Sequence, residues 1–160
     1  PFCGLIFTLQ KNKTGRSFYV ATFPSGMGSF FHGEAQRMGM GRTVHVFETD
    51  PFLYGVKENT IDLAVFRGAL FFPALFRIDF PAIYRVLRPQ GIAMVGGGFG
   101  KLTPPSVIDG IAKASKDLNL RAGKVEITKE TIIKELELCG LREKIAMELK
   151  GGLWVIIKKS

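Results

Sequence analysis

The sequence predicts an α/β fold, on three observations. Short apolar or β-branched runs alternate with segments of helical periodicity through the C-terminal two-thirds of the chain. Glycine, proline and capping residues punctuate most junctions between them. The balance of 46% hydrophobic to 22% charged residues over 160 positions is ordinary globular usage, enough to build a core. With no internal repeat, low-complexity tract or linker, one domain spanning residues 1–160 is expected.

Taken in order, Ser17 to Thr22 (SFYVAT) reads as a short strand closed by Pro24, Ser25 and Gly26. Gly28 to Met38 carries Phe30, Phe31, Ala35 and Met38 at helical spacing, and Gly39 to Gly41 ends it. Thr43 to Phe47 (TVHVF) alternates as a strand does. Ile61 to Phe66 (IDLAVF) is nearly all apolar, the pattern of a strand covered on both faces. A helix from Phe80 to Leu87 turns Ile83, Val86 and Leu87 inward, with Asp79 as its N-cap and Pro81 in its first turn. Pro89 and Gly91 stop it, and Gly91 to Val95 is another buried strand.

Ser106 to Leu118 repeats apolar residues at Val107, Ile111 and Ala114, a helix entered through Pro104 and Pro105. Thr128 caps a further helix on which Ile132, Leu136 and Cys139 share a face, with Gly140 at its end. Strands around Lys144 to Leu149 and Leu153 to Lys158 are joined by Gly151 and Gly152, as an antiparallel hairpin would be.

The bulk numbers exclude some functions and leave others open. No apolar run reaches the roughly 18 to 20 residues a membrane span requires, and no signal peptide opens the chain. The first residue is Pro1 rather than Met, so a non-natural start is expected. Cys3 and Cys139 stand far apart with no metal-ligand spacing, which argues against zinc and disulfides and suits a reducing cytoplasm. Cys139 reads as a buried, inert thiol. The formal charge of +8 favours anionic partners, nucleic acid among them, but the basic residues are scattered and form no run longer than two.

The conspicuous motif is VGGGFGK, Val95 to Lys101. A phosphate-binding P-loop is not met, because Val95 stands where its first glycine belongs and Leu102 where its hydroxyl belongs. A dinucleotide fingerprint is not met either, because Thr103, Pro104 and Pro105 intervene before any helix can start.

The segment ENTIDLAVFRGALFF, followed by AIYRVLRPQGIAMVGGGFG, resembles the class I, Rossmann-like S-adenosylmethionine-dependent methyltransferases, in their methyltransferase type 11-like branch. Asp62, Arg67, Gly68, Arg85, Val86, Leu87, Pro89 and Gly91 match, and GLWVIIKK is similar to the branch's final strand. The resemblance implies a sheet in the order 3-2-1-4-5-7-6, ending in an antiparallel strand pair. It also implies S-adenosylmethionine as cofactor. Asp50 and Pro51, with Thr49 before them, would meet the adenine, and Thr22 and Phe23 the ribose. Arg67 and Gly68 would border the methyl-transfer side.

Three departures accompany the match. The family's ribose-binding acid falls on Thr22, whose hydroxyl cannot give a carboxylate's two-pronged grip. Gln90 replaces a glycine at a turn that calls for positive φ. The first strand and most of its glycine loop have no counterpart, so only Gly4, beside Cys3, matches the methionine-binding loop. The resemblance therefore implies a sheet lacking its first strand, truncated or degenerate at the N-terminus, with cofactor binding impaired and strand edges that a partner could complete. No catalytic base is identified, since neither His32 nor His45 falls at a matching site. A small or lipophilic acceptor is implied by the apolar Phe71–Phe76 stretch and the loop after Gly100. The alternative is a non-catalytic binding or structural module on the same fold.

Overall fold

The computed structural model describes residues 5, 6, 9, 12, 17–23, 25–74 and 77–160. The chain divides into two compact units, Pro1–Asp50 and Pro51–Ser160. Its described strands form two sheets, one in each unit.

In the first unit, β1 (Phe18–Thr22) and β2 (Val44–Glu48) pair in parallel, with Thr22 opposite Glu48. Parallel pairing demands a crossover, which α1 (Met27–Arg37) supplies. The core is small. Ala35 from α1, Met40 from the following turn and Val44 from β2 are buried, with Ile6, Phe18, Val20, Met38 and Val46 packed against them. His45 lies on the exposed face of β2 and stacks on Tyr19 at 5.1 Å between ring centres, the face residue the sequence predicts.

The second unit is built on a four-stranded sheet of order β3-β4-β6-β5. It comprises β3 (Ile61–Arg67), β4 (Leu87–Gly98), β5 (Ile145–Glu148) and β6 (Gly152–Lys158). β3 runs parallel to β4, whereas β6 is antiparallel to both β4 and β5. Three helices accompany it: α2 (Phe80–Val86), α3 (Pro105–Arg121) and α4 (Lys129–Leu138). Fourteen buried apolar residues form one cluster, including Phe80, Ile83 and Val86 of α2, Ile132 and Leu136 of α4, and Val95, Val155 and Ile157 of the sheet. Full burial of a side chain such as Ile83 is worth about 1.5–3 kcal/mol.

The caps fall where the sequence places them. The Asp79 carboxylate accepts from the Ala82 amide at 2.7 Å and opens α2, and the Thr128 hydroxyl accepts from the Thr131 amide at 3.2 Å to open α4. Gly140, just past α4, adopts φ 68°. At the other end of α2, the Lys159 ammonium donates to the carbonyls of Tyr84 and Arg85, both at 3.0 Å, and satisfies part of the helix's open C-terminus.

Four expectations need correction. The strand expected over Gly91 to Val95 begins at Leu87, directly after α2, and runs to Gly98; Gln90 adopts the positive φ the turn calls for, 67°. β3 is not covered on both faces: Asp62 is exposed and Leu63 is 45% exposed, as befits a strand at the edge of its sheet. The apolar stripe of α3 is not covered either, for none of its residues is buried. Cys139 is half-buried at the end of α4 rather than fully inside. No described helix is long and apolar enough to cross a membrane.

Candidate functional site

In the second unit, the C-terminal ends of β3 and β4 lie side by side, with Arg67 registered opposite Gly96. Arg67 is exposed, and its guanidinium donates to the Gly98 carbonyl at 3.3 Å, tying the two strand ends together. Gly68 follows in the left-handed region at φ 88°, and its amide donates to the Gly96 carbonyl at 2.6 Å. The chain then turns sharply into the short 3-10 segment Ala69–Phe71.

This geometry gives the glycine run a structural cause. A Cβ on Gly96 would come within 2.1 Å of the Leu153 carbonyl oxygen, and one on Gly98 within 2.1 Å of the Gly151 oxygen. One on Gly97 would come within 2.9 Å of the Phe71 ring. The glycines thus let β6 and the Phe71 turn approach the end of β4 closely. They pack the C-terminal end of β4 against its neighbours.

In the first unit, Thr22, Phe23, Thr49 and Asp50 gather at the C-terminal ends of β1 and β2, where the Thr49 amide donates to the Thr22 carbonyl at 2.9 Å. Thr22 is 4% exposed, and its hydroxyl is already committed to the Phe47 carbonyl at 3.3 Å. Thr49 and Asp50 are half-buried, and the Thr49 hydroxyl donates to the Asp50 carbonyl at 3.4 Å. Cys3 and Gly4 lie outside the described residues.

Glu48 was not singled out by its sequence. Its carboxylate accepts from the amides of Gly26 at 2.6 Å and Gly28 at 3.3 Å, so it caps α1 from the neighbouring strand. A carboxylate at a helix start complements the dipole and satisfies amides that lack helical partners. The signal was available: an acid at a strand end, facing a helix whose own N-cap is the glycine Gly26 and has no side chain to offer.

Pro51 opens the second unit's leading loop. Arg85 of α2 anchors that loop by donating to the carbonyls of Phe52 at 3.1 Å, Leu53 at 2.9 Å and Val56 at 3.3 Å, with Glu58 3.7 Å away. The sequence marked Arg85 only as a matching position; its work is to hold the chain that follows Asp50. Charge effects elsewhere gather near Asp79. Burial first, and then the Asp79 carboxylate, raise the Glu135 carboxyl above its ordinary range. Burial, then Glu135 and Asp79, raise the Cys139 thiol. Among the described residues, no group of three or more His, Cys, Asp or Glu could hold a metal ion.

The strand orders, β2 beside β1 in the first unit and β3-β4-β6-β5 in the second, match the pieces 3-2 and 4-5-7-6 of the expected order. Solved structures are similar to the chain as a whole. A candidate S-adenosyl-L-methionine-dependent methyltransferase from Methanococcus maripaludis matches with a TM-score of 0.70 at 23% identity, covering 90% of this chain and 67% of its own. Geranyl diphosphate C-methyltransferase from Streptomyces coelicolor A3(2) matches at 0.61 and 8%, covering 98% and 66%. PigF, in complex with SAH, matches at 0.67 and 16%, covering 98% and 47%. This is the class I S-adenosylmethionine-dependent methyltransferase fold. The chain spans about two thirds of the length of the first two matched proteins and less than half of the third. No family model and no curated protein matches the sequence.

On a methyltransferase fold, the described residues fit the cofactor unevenly. Asp50 sits at a strand end, where a carboxylate can accept from an adenine amino group. Thr22, at the position expected for the ribose, offers one hydroxyl in place of a carboxylate, and that hydroxyl donates to the Phe47 carbonyl, a poor fit to a ribose diol.

Proposed function

We propose that this chain is a single, partial methyltransferase domain that binds S-adenosylmethionine weakly and serves methyl transfer to a small-molecule acceptor. The observation that carries this reading is the strand order within each unit, which matches the pieces 3-2 and 4-5-7-6 of the methyltransferase sheet. In the proposed assignment, Asp50, Pro51 and Thr49 meet the adenine, Thr22 and Phe23 the ribose region, and Cys3 and Gly4 the methionine end. Arg67 and Gly68 border the reacting methyl group, with Arg67 held in place by the Gly98 carbonyl. The neighbouring geranyl diphosphate enzyme, solved with its small-molecule substrate, supports a small acceptor over a polymer. The edges of β1 and β3 are where a completing strand from a partner would pair.

Loss of a charged hydrogen-bond pair at the ribose costs about 1.5–3 kcal/mol, on the order of tenfold or more in affinity. A second reading, a non-catalytic module, is favoured by one observation: the Thr22 hydroxyl is turned inward to Phe47. Calorimetric titration with S-adenosylmethionine and S-adenosylhomocysteine separates the two. The transferase reading expects saturable heat for both at high ligand concentration. No heat at millimolar ligand leaves the non-catalytic module.

A further inference from the structure

A cavity of about 540 Å³, open to solvent and lined largely by exposed side chains, lies in the second unit between α3, Phe99 at the end of β4, and the stretch that follows α3. It falls in the range of small-molecule sites, roughly 300–1,000 Å³. Its wall combines two chemistries. Phe99, Ala112 and Leu120 are apolar, while Lys113, Lys116 and Lys124 bring three ammonium groups against one carboxylate, Glu126.

The lysines are placed by the fold. Lys113 and Lys116 are three residues apart on α3, hence neighbours on one face. Lys124 lies on the stretch that follows α3, which the Val125 amide holds against the Phe71 turn by donating to the Phe71 carbonyl at 2.9 Å. Its ammonium lies 5.9 Å from the centre of the Phe71 ring. Among the described residues, none of the three lysines has an ion-pair partner. Three like charges around one hollow repel, and a bound anion would relieve that repulsion. The Phe71 turn also carries Gly68 and packs on Gly97, which puts the cavity beside the ends of β3 and β4.

We propose that this cavity binds a small molecule that joins an anionic headgroup to an apolar tail. The lysines take the headgroup, and Phe99 and Leu120 take the tail. That this molecule is the methyl acceptor rests on the transferase reading above; its binding does not.

The test is calorimetric titration of the full chain, without cofactor, using octyl phosphate below its micellar concentration. One saturable site is expected, weakened about tenfold or more in the variant K113Q/K116Q/K124Q and weakened further as salt rises. Octyl glucoside, which keeps the tail and loses the charge, and inorganic phosphate, which keeps the charge and loses the tail, should each bind at least about tenfold more weakly. The control variant K144Q/K158Q, altered outside the lining, should bind as the unaltered chain does. Should the triple variant unfold, K124Q alone and octyl phosphate-induced shifts of the Ala112 and Lys116 amide resonances carry the test. Equal binding by the unaltered chain and a folded lysine variant overturns the proposal. So does equal affinity for octyl glucoside or for inorganic phosphate, or binding to phosphatidylserine vesicles with none to octyl phosphate. Parallel titration with S-adenosylhomocysteine keeps the two readings apart. Cofactor binding without octyl phosphate binding sinks the cavity alone, and the reverse sinks only the transferase reading.

Discussion

Among the described residues, the core cluster of the first unit holds three buried apolar residues on a two-stranded sheet, whereas that of the second holds fourteen on four strands. A two-stranded sheet is marginal by itself, and three or more strands with a covered face are needed for independent stability. Of the residues proposed for adenine and ribose, Thr22, Phe23, Thr49 and Asp50 sit on the thinner scaffold, while Pro51 and the residues proposed for the methyl-transfer side, Arg67 and Gly68, sit on the thicker one. Under the proposed assignment, recognition of the adenine and ribose would depend on the part of the chain with the least core to hold it. The first unit compensates with polar contacts, such as the Glu48 cap on α1.

Cavity-forming substitutions should break this contrast most plainly. Ile83→Ala, in the large core, is expected to cost about 2–5 kcal/mol and to lower the denaturation midpoint of the whole second unit. Val44→Ala removes less side chain from a smaller core and should cost less, with hydrogen exchange rising in β1, α1 and β2 alone. Equal, chain-wide losses from both would contradict the division.

A smaller effect should separate the two kinds of helix cap. Asp79→Ala removes a local cap from α2, and Glu48→Ala removes a remote one from α1; each is expected to cost about 0.5–2 kcal/mol. Only the second should loosen the ends of β1 and β2, read by exchange of the Gly26 and Gly28 amides. Protection of those amides unchanged in Glu48→Ala would remove the remote cap from the account.

The least effect is a pH dependence confined to the second unit. The folded Glu135 carboxyl titrates above its unfolded value, so the folded state holds its proton more tightly. Its contribution to stability is therefore lost as pH rises through the carboxylate range, and the penalty is complete at neutral pH. Glu135→Gln should raise the melting temperature modestly at neutral pH, and the gain should vanish in acid, below that range. A gain that persists there would point away from charge.

The second unit was largely legible in the sequence, because local signals and tertiary packing agree there. Asp79 and Thr128 cap the helices they precede, and Ile83, Val86 and Leu136 bury where the helical period puts them. What periodicity could not give was which faces lack a neighbour. Val107 and Ile111 mark α3 as a helix, yet remain 46% and 47% exposed, since a period reports an element and says nothing of what covers it. The candidate site was legible only in part. Arg67, Gly68 and the glycine run were marked by motif, but the glycines' cause, the close approach of β6 and Phe71, needs long-range contacts. Glu48 and Arg85 act on residues remote in the chain, and their spacing in the sequence carries no trace of that.

The central claim is that the methyltransferase fold is kept here while its ribose grip is weakened at Thr22. Titration of S-adenosylhomocysteine into the unaltered chain and into Thr22→Asp, with circular dichroism to confirm that both are folded, tests it directly. The restored carboxylate should tighten binding by about tenfold or more. A folded Thr22→Asp that binds no better than the unaltered chain would contradict the claim.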